Sequence, residues 1–306
     1  MEKTVLSFYV DDTNPYVAPP EAFKTFLDFV DTEGAAGESS VILGYDWVEH
    51  GHISHPATDV QAAYLELVRR AYDCRIDSHC ELYTHSKRFD FQNQRMPETA
   101  IHEGLWLYEP AVSVEEYQTY FSHILSEGEQ LGMRFTGLTW PGCGCDVCTS
   151  RYQALRQQGV NDPNPHFWQA LLNLAKAGRF RGRTVPCFFD GELEVAKAQL
   201  MASDGAYGVF ALPPNAGDHC GIWLNDPQYV DADYYITANG QAGRIVELVH
   251  AQAPYCLFYN HWQGLNPANG VGWSVFTQVI RRVQKYLGDQ VVWMRPSEYT
   301  DSLLNA

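Results

Sequence analysis

Short apolar runs alternate with amphipathic helical stretches from one end of the chain to the other, and this rhythm limits the fold more than any other feature. Val5-Leu6-Ser7-Phe8-Tyr9-Val10 reads as a buried strand. It is followed over residues 20–30 by a helical pattern in which Phe23, Phe26, Leu27 and Val30 make one apolar stripe. Further strands are expected at 40–44, 75–84, 133–139, 184–189, 208–212, 255–259 and 291–294. Between them lie helices opened by capping boxes at Thr58 and Ser113, and helical patterns at 151–157, 167–177, 192–201, 241–252 and 272–287. Parallel strands need crossover connections, so about seven strands separated by helices imply an α/β fold with parallel pairing. The expected form is a distorted (β/α) barrel spanning residues 1–306 as a single catalytic domain, with an open doubly wound sheet as the alternative. No G-x-G-x-x-G or Walker loop supports a nucleotide cofactor.

Composition narrows the partners. A net charge of -16 argues against nucleic-acid backbones and anionic membranes, which both call for Lys and Arg. No apolar run is long enough to span a bilayer. The start, Met1-Glu2-Lys3-Thr4, has no apolar h-region, and the chain reads as cytoplasmic. In that compartment eight cysteines are thiols or metal ligands rather than disulfides.

Three places hold the residues that carry chemistry. Asp11-Asp12 ends the first apolar run, at the strand end where α/β folds place their sites. Two adjacent carboxylates call for a cation or a proton, and a metal would neutralise one and leave the other free as a base. In His79-Cys80-Glu81-Leu82-Tyr83-Thr84-His85, an extended strand would set His79, Glu81 and His85 on one face, with His85 level with Asp12. Asp and neutral His are ordinary ligands of Zn²⁺ and similar ions. The run Cys143-Gly144-Cys145-Asp146-Val147-Cys148 brings three thiols within six residues. They can close round a structural Zn²⁺ with a fourth ligand from Cys80, Cys74 or a histidine. The C-x-C-x-x-C spacing resembles the zinc knuckle of some retaining β-galactosidases.

At this point the chain resembles the polysaccharide deacetylase (NodB-homology, carbohydrate esterase family 4-like) superfamily. Its hydrophobic-Asp-Asp motif is matched by Tyr9-Val10-Asp11-Asp12, and its metal-binding His by Glu81-Leu82-Tyr83-Thr84-His85. Its Pro-Gly strand end is matched by Thr139-Trp140-Pro141-Gly142 and its hydrophobic-x-His motif by Tyr259-Asn260-His261, followed by Glu298. The resemblance implies a metal-dependent hydrolase that removes an acyl group from a sugar. Asp11 would be the general base, Asp12 and His85 ligands of a divalent metal, and His261 the general acid. The family's second histidine falls at Phe89, so the third ligand passes to His79 or Asp90. Trp140, Asn260 and Trp262 are placed at the substrate, a carbohydrate.

Two other functions stay open. Asp190-Gly191-Glu192, with Glu81 or Glu103, would give a glycosidase a carboxylate pair. A sugar-binding barrel without catalysis is the other. His50, His52 and His55 form an H-x-H-x-x-H run in a Gly- and Pro-containing stretch.

Overall fold

Every one of the ten residues of the first strand is buried, which is what a parallel strand covered on both faces demands. The structure, a computed structural model, describes residues 3–14, 19–44, 58–140, 153–155, 157, 162–188 and 197–306. Its strands are β1 (Thr4–Thr13), β2 (Gly37–Val41), β3 (Ile76–Cys80), β4 (Gly137–Thr139), β5 (Thr184–Phe188), β6 (Gln199–Ser203), β7 (Gly208–Ala211), β8 (Tyr255–His261) and β9 (Val291–Trp293). Its helices are α1 (Pro20–Glu33), α2 (Thr58–Ala71), α3 (Glu103–Trp106), α4 (Val114–Gln130), α5 (Pro165–Lys176), α6 (Ala232–Tyr235), α7 (Arg244–His250), α8 (Trp262–Leu265), α9 (Trp273–Leu287) and α10 (Pro296–Leu304). No helix among the described residues is long and apolar enough to cross a membrane.

The strands form one sheet in the order β6-β7-β5-β4-β3-β2-β1-β8, with β9 paired to β1 as well. All pairs are parallel except β6 on β7. The sheet curls in a barrel-like way. The segment after β7 meets β8 through an Ala216–Phe258 bridge, and the Asn215 amide donates to the Tyr255 carbonyl at 2.9 Å.

Two differences from the sequence expectation concern the sheet. The sheet has nine strands among the described residues, not about seven, and it is mixed rather than wholly parallel. The strand at no position read as one is β6, which overlaps the end of the span read as a helix over 192–201. Gly205 (φ 88°) allows a tight return, and the Ser203 hydroxyl donates to the Tyr207 carbonyl at 2.8 Å, so the segment pairs back on β7 as a hairpin.

Alternation along β1 sorts the core into two layers. Leu6, Phe8 and Val10 point to the helices, where Phe8 meets Phe26 at 5.9 Å and Phe276 at 5.4 Å edge-to-face. Val5 and Tyr9 point the other way, into the curl, with Phe188, Leu212, Tyr255, Leu257 and Tyr299. The register sets Glu38 beside Tyr9 and Asp77 beside Glu38, so this inner face is apolar along β5, β7 and β8 but acidic along β1 to β3. α10 closes the N-terminal end of the strands: Ser297 donates its N–H and hydroxyl to Asp77 at 2.8 and 2.9 Å. The C-terminal end stays available for a site.

Candidate functional site

Asp11 and Asp12 leave β1 at the C-terminal end of the sheet, and Asp12 takes a left-handed backbone (φ 67°). β3 stops at Cys80, four residues short of the expected strand. Leu82 (φ 48°) and His85 (φ 56°) are also left-handed, so the chain turns back over the strand ends. Three non-glycine residues in this sparsely populated region mark a segment that its surroundings hold in place. Glu103 supplies much of that hold. Its buried carboxylate accepts from Tyr83 N at 3.3 Å, from Thr84 N at 2.9 Å and from the Tyr120 hydroxyl. Burial pushes Glu103 up to about 7 against the pull of these donors.

The turn brings Glu81 and His85 onto Asp12. His85 Nε2 lies 3.4 Å from Asp12 Oδ1 and 3.1 Å from Glu81 Oε1. Asp12 N donates to Glu81 Oε2 at 3.1 Å, and Gln263 Nε2 donates to Asp12 Oδ2 at 2.9 Å. Ser40 Oγ sits 3.0 Å from Asp11 Oδ1 and 2.5 Å from Glu81 Oε2. A hydroxyl has one proton, so two such contacts need a second proton from a carboxyl. The charges agree. Burial raises Asp11 well above the usual carboxyl range, and Glu81 and Asp12 add to the rise. For Glu81 burial is outweighed by His85 and by the bonds from Asp11 and Ser40, leaving it lowered. The two shifts run in opposite directions, as expected of a carboxyl pair that ionises in two steps. Asp12 is raised, first by burial and then by Glu81. Burial would lower His85, but Glu81 and Asp12 hold it up to about 9.

Across from this cluster, β8 delivers His261 in register with Asp11. Asp218 accepts from His261 N at 3.0 Å and faces Nδ1 at 2.8 Å. Against burial, that bond and the Asp12 charge raise the imidazole. Tyr259 links the two sides, its hydroxyl 2.7 Å from His261 Nε2 and 3.5 Å from Asp11 Oδ2. His85 keeps 24% of its side chain exposed and His261 12%, so the ring edges reach solvent while Glu81 does not.

Asp12, Glu81 and His85 each offer a ligand atom, and the three atoms lie within 4.8 Å of one another. Glu81 Oε1 faces His85 at 3.1 Å without a well-aligned hydrogen bond, so a cation there would take the place of the His85 proton. Two carboxylate oxygens and an imidazole suit Zn²⁺ or a similar ion.

The structure thus gathers Asp11, Asp12, His85 and His261. Beside Asp12 and His85 it brings Glu81, whereas His79 and Asp90, the candidates named from the sequence for a third ligand, are not part of that group. His79 lies fully buried against Phe188 (rings 4.8 Å apart), 3.6 Å from Glu38 and 3.4 Å from Thr139, and burial lowers it to about 3. Asp90 caps its own exposed turn, accepting from Gln92 N and Asn93 N at 3.0 Å each. Phe89, at the family's ligand position, packs on Tyr83 and Phe91.

The residues expected at the substrate, Trp140, Asn260 and Trp262, are all buried. Trp262 is wholly buried edge-on to Phe23 and Phe26, because α8 begins at that residue and turns the ring towards α1. Trp140 packs on Tyr108 and Phe167, and the buried Asn260 amide donates to the Tyr9 and Phe258 carbonyls. Cys80 is a buried thiol, its Sγ 3.3 Å from the Leu82 carbonyl oxygen. Cys143, Cys145 and Cys148 lie outside the described residues, as do His50, His52, His55 and the 190–192 acids. Glu81 as a third ligand, Asp218, Tyr259 and Gln263 escaped the sequence reading. Only Glu81 carried a signal, an acid inside an apolar stretch.

Below the site, Glu38 is fully buried and neither carboxyl oxygen has a partner. Burial raises it well above its ordinary value, with Glu81 and Asp77 adding to the rise, so it is held as the neutral acid. A raised folded value contributes stability that is complete below the ordinary carboxyl range and is lost as pH rises. Glu38→Gln, neutral at every pH, is expected to melt within a few degrees of the parent at pH 5 and above it at pH 9. Glu38→Ala is expected to lose about 2 kcal/mol at both through the cavity it leaves. Thermal melts of the three proteins at the two pH values check this.

Neither a protein-family model nor a curated protein matches the sequence. Among solved structures the chain is similar to T48 deacetylase with substrate, at 9% identity and a TM-score of 0.46 over 98% of this chain and 92% of that one. It is similar to a CE4 family pseudoenzyme from Bacillus anthracis, at 9% identity and 0.41 over 97% and 66%. A GH57 branching enzyme from Thermococcus kodakaraensis gives 10% identity and 0.45 over 98% and 71%. These likenesses are weak and decide nothing between the chemistries they span.

Proposed function

We propose that the chain is a metal-dependent hydrolase that removes an acyl group from an acylated sugar. The observation that carries the proposal is the convergence of Asp12, Glu81 and His85 at one strand end, with Asp11 beside them and the Asp218–His261 pair opposite. Asp12, Glu81 and His85 would hold the ion, and a bound ion would polarise the substrate carbonyl and a water. Its charge would favour the ionised form of Asp11, which burial first and the neighbouring carboxyls next disfavour, and so suit this carboxyl to the role of base. Asp11 then takes a proton from the attacking water. His261, held by Asp218, gives its proton to the departing nitrogen or oxygen as the acyl bond breaks. Tyr259 spans the base and the acid and keeps both in position. The acylated sugar comes from the sequence resemblance; the hydrolytic chemistry comes from the residues.

The glycosidase alternative pairs Asp190 or Glu192, which lie outside the described residues, with Glu81 or Glu103. Glu103 is fully buried and engaged by three donors.

Metal content of the purified protein and of an Asp12→Ala, His85→Ala double variant tests the reading. About one ion per chain, lost in the double variant, is the expected result. Binding must also displace the proton that Glu81 and Asp12 hold on His85. Affinity is therefore expected to rise with pH, about tenfold per unit, up to about 9. Titration calorimetry in buffers of different ionisation enthalpy counts the released proton. Equal metal in the double variant overturns the proposal.

A further inference from the structure

An excursion over residues 218–231 starts at the site and carries apolar side chains out to solvent. Its root is Asp218, which grips His261, and Cys220 N donates back to Asp218 Oδ1 at 2.8 Å. The Cys220–Val230 antiparallel bridge and the 3.2 Å bond from Gly221 N to the Tyr229 carbonyl tie its two legs. At the tip Ile222 (φ 50°) and Asn225 (φ 52°) are both left-handed. Asn225 clips the tip to the chain beyond α8, donating to the Asn269 carbonyl at 3.2 Å and accepting from Val271 N at 2.8 Å. The packing beneath has no slack, since a Cβ at Gly264 or Gly272 would lie 2.1 or 1.9 Å from the Cys220 carbonyl oxygen. The tip is rigid.

On it Trp223 is 57% exposed and Leu224 49%, with Tyr229 41% exposed on the return leg. Only two other large hydrophobic residues among the described ones are exposed, Ile101 and Leu200, and both lie elsewhere in the chain. Scattered exposed apolar residues need no explanation, but three gathered on one braced loop beside a site do. The same stretch holds Asp218, Asp226 and Asp231 and no Lys or Arg, which disfavours an anionic lipid surface or nucleic acid.

We propose that the Trp223–Leu224 tip, with Tyr229, is a platform for the chain of a neutral acylated polysaccharide, outside the residues that hold the reacting group. This rests on the acyl-sugar hydrolase reading. A flat indole face matches the C–H face of a pyranose ring, and a stretch without Lys or Arg fits an uncharged chain. An aromatic side chain has few rotatable bonds and loses little freedom on contact.

The test is retention of the full-length protein on insoluble acetylated xylan and colloidal chitin. Trp223→Ala is expected to weaken retention on at least one about tenfold, and Trp223→Phe by much less. Circular dichroism and melting checks that the variants are folded. Retention unaffected by Trp223→Ala, or no retention of the parent on either polymer, overturns the platform. So does Trp223-dependent binding to phosphatidylcholine vesicles in place of the polymers. Metal content and turnover of an acetylated monosaccharide, measured on the same preparations, separate the two readings. A protein without metal or turnover that still binds polymer through Trp223 keeps the platform and loses the hydrolase. Turnover with Trp223-independent binding does the reverse.

Discussion

Glu81→Ala is expected to lower metal affinity by two orders of magnitude or more and kcat/KM by about 10³-fold. Glu81 is the hub of the cluster. It accepts from Asp12 N and faces Ser40 and His85 from a position with no solvent exposure. Removing it deletes a proposed ligand and strands the charge that it and Asp12 hold on His85, and breaking a buried pair on one side costs about 3–5 kcal/mol. The loss of activity therefore needs separating from loss of fold. Glu81→Gln does this, because an amide oxygen still accepts from Asp12 N and fills the same volume. The expected result for Glu81→Gln is a protein that melts close to the parent yet binds metal at least tenfold more weakly, since a neutral amide is the poorer ligand. Melting curves, metal titration and turnover on one preparation check it. Parent-like metal affinity in Glu81→Gln would remove Glu81 from the ligand set.

That Glu81, rather than His79, lies beside Asp12 and His85 was hidden from the sequence for a definite reason. The run from Arg75 to Thr84 looks like one strand, and a regular strand sends His79, Glu81 and His85 to one face. The chain leaves β3 after Cys80 instead, through left-handed turns at Leu82 and His85. Neither residue type announces such a backbone. The buried Glu103 enforces it from 20 residues away, and that link is invisible in one dimension. His79 stays in the regular part of β3 and is buried beneath the site. Asp11-Asp12 was legible because two acids ending an apolar run have few explanations besides a cation or a shared proton. Asp218 was not, for it lies 43 residues before His261 and reaches it only because the segment after β7 meets β8. Trp262 misled for the opposite reason. Adjacency to His261 placed it in a cleft, and the start of α8 turns it into the core.

His261→Ala is expected to reduce kcat by about 10²–10⁴-fold on an acetylated amino sugar, whose amine needs a proton to leave. On 4-nitrophenyl acetate the loss is expected to be far smaller, since that phenolate departs unprotonated. A variant slow on both substrates would mean that His261 supports the structure or the base rather than protonating the leaving group. Asp218→Asn refines the assignment. The Asp218 hydrogen bond is the chief influence raising His261 against its burial, and its charge adds to that. An acid works only while it holds its proton, so activity falls as pH climbs through the value of His261. Removing the Asp218 charge lowers that value and is expected to draw the alkaline limb of the kcat profile down by about one pH unit. A purely structural Asp218 would scale the profile without moving its limb. A limb that moves for Asp218→Asn on the amide, with little change on the phenyl ester, would identify the proton of His261 as the one delivered when the acyl bond breaks.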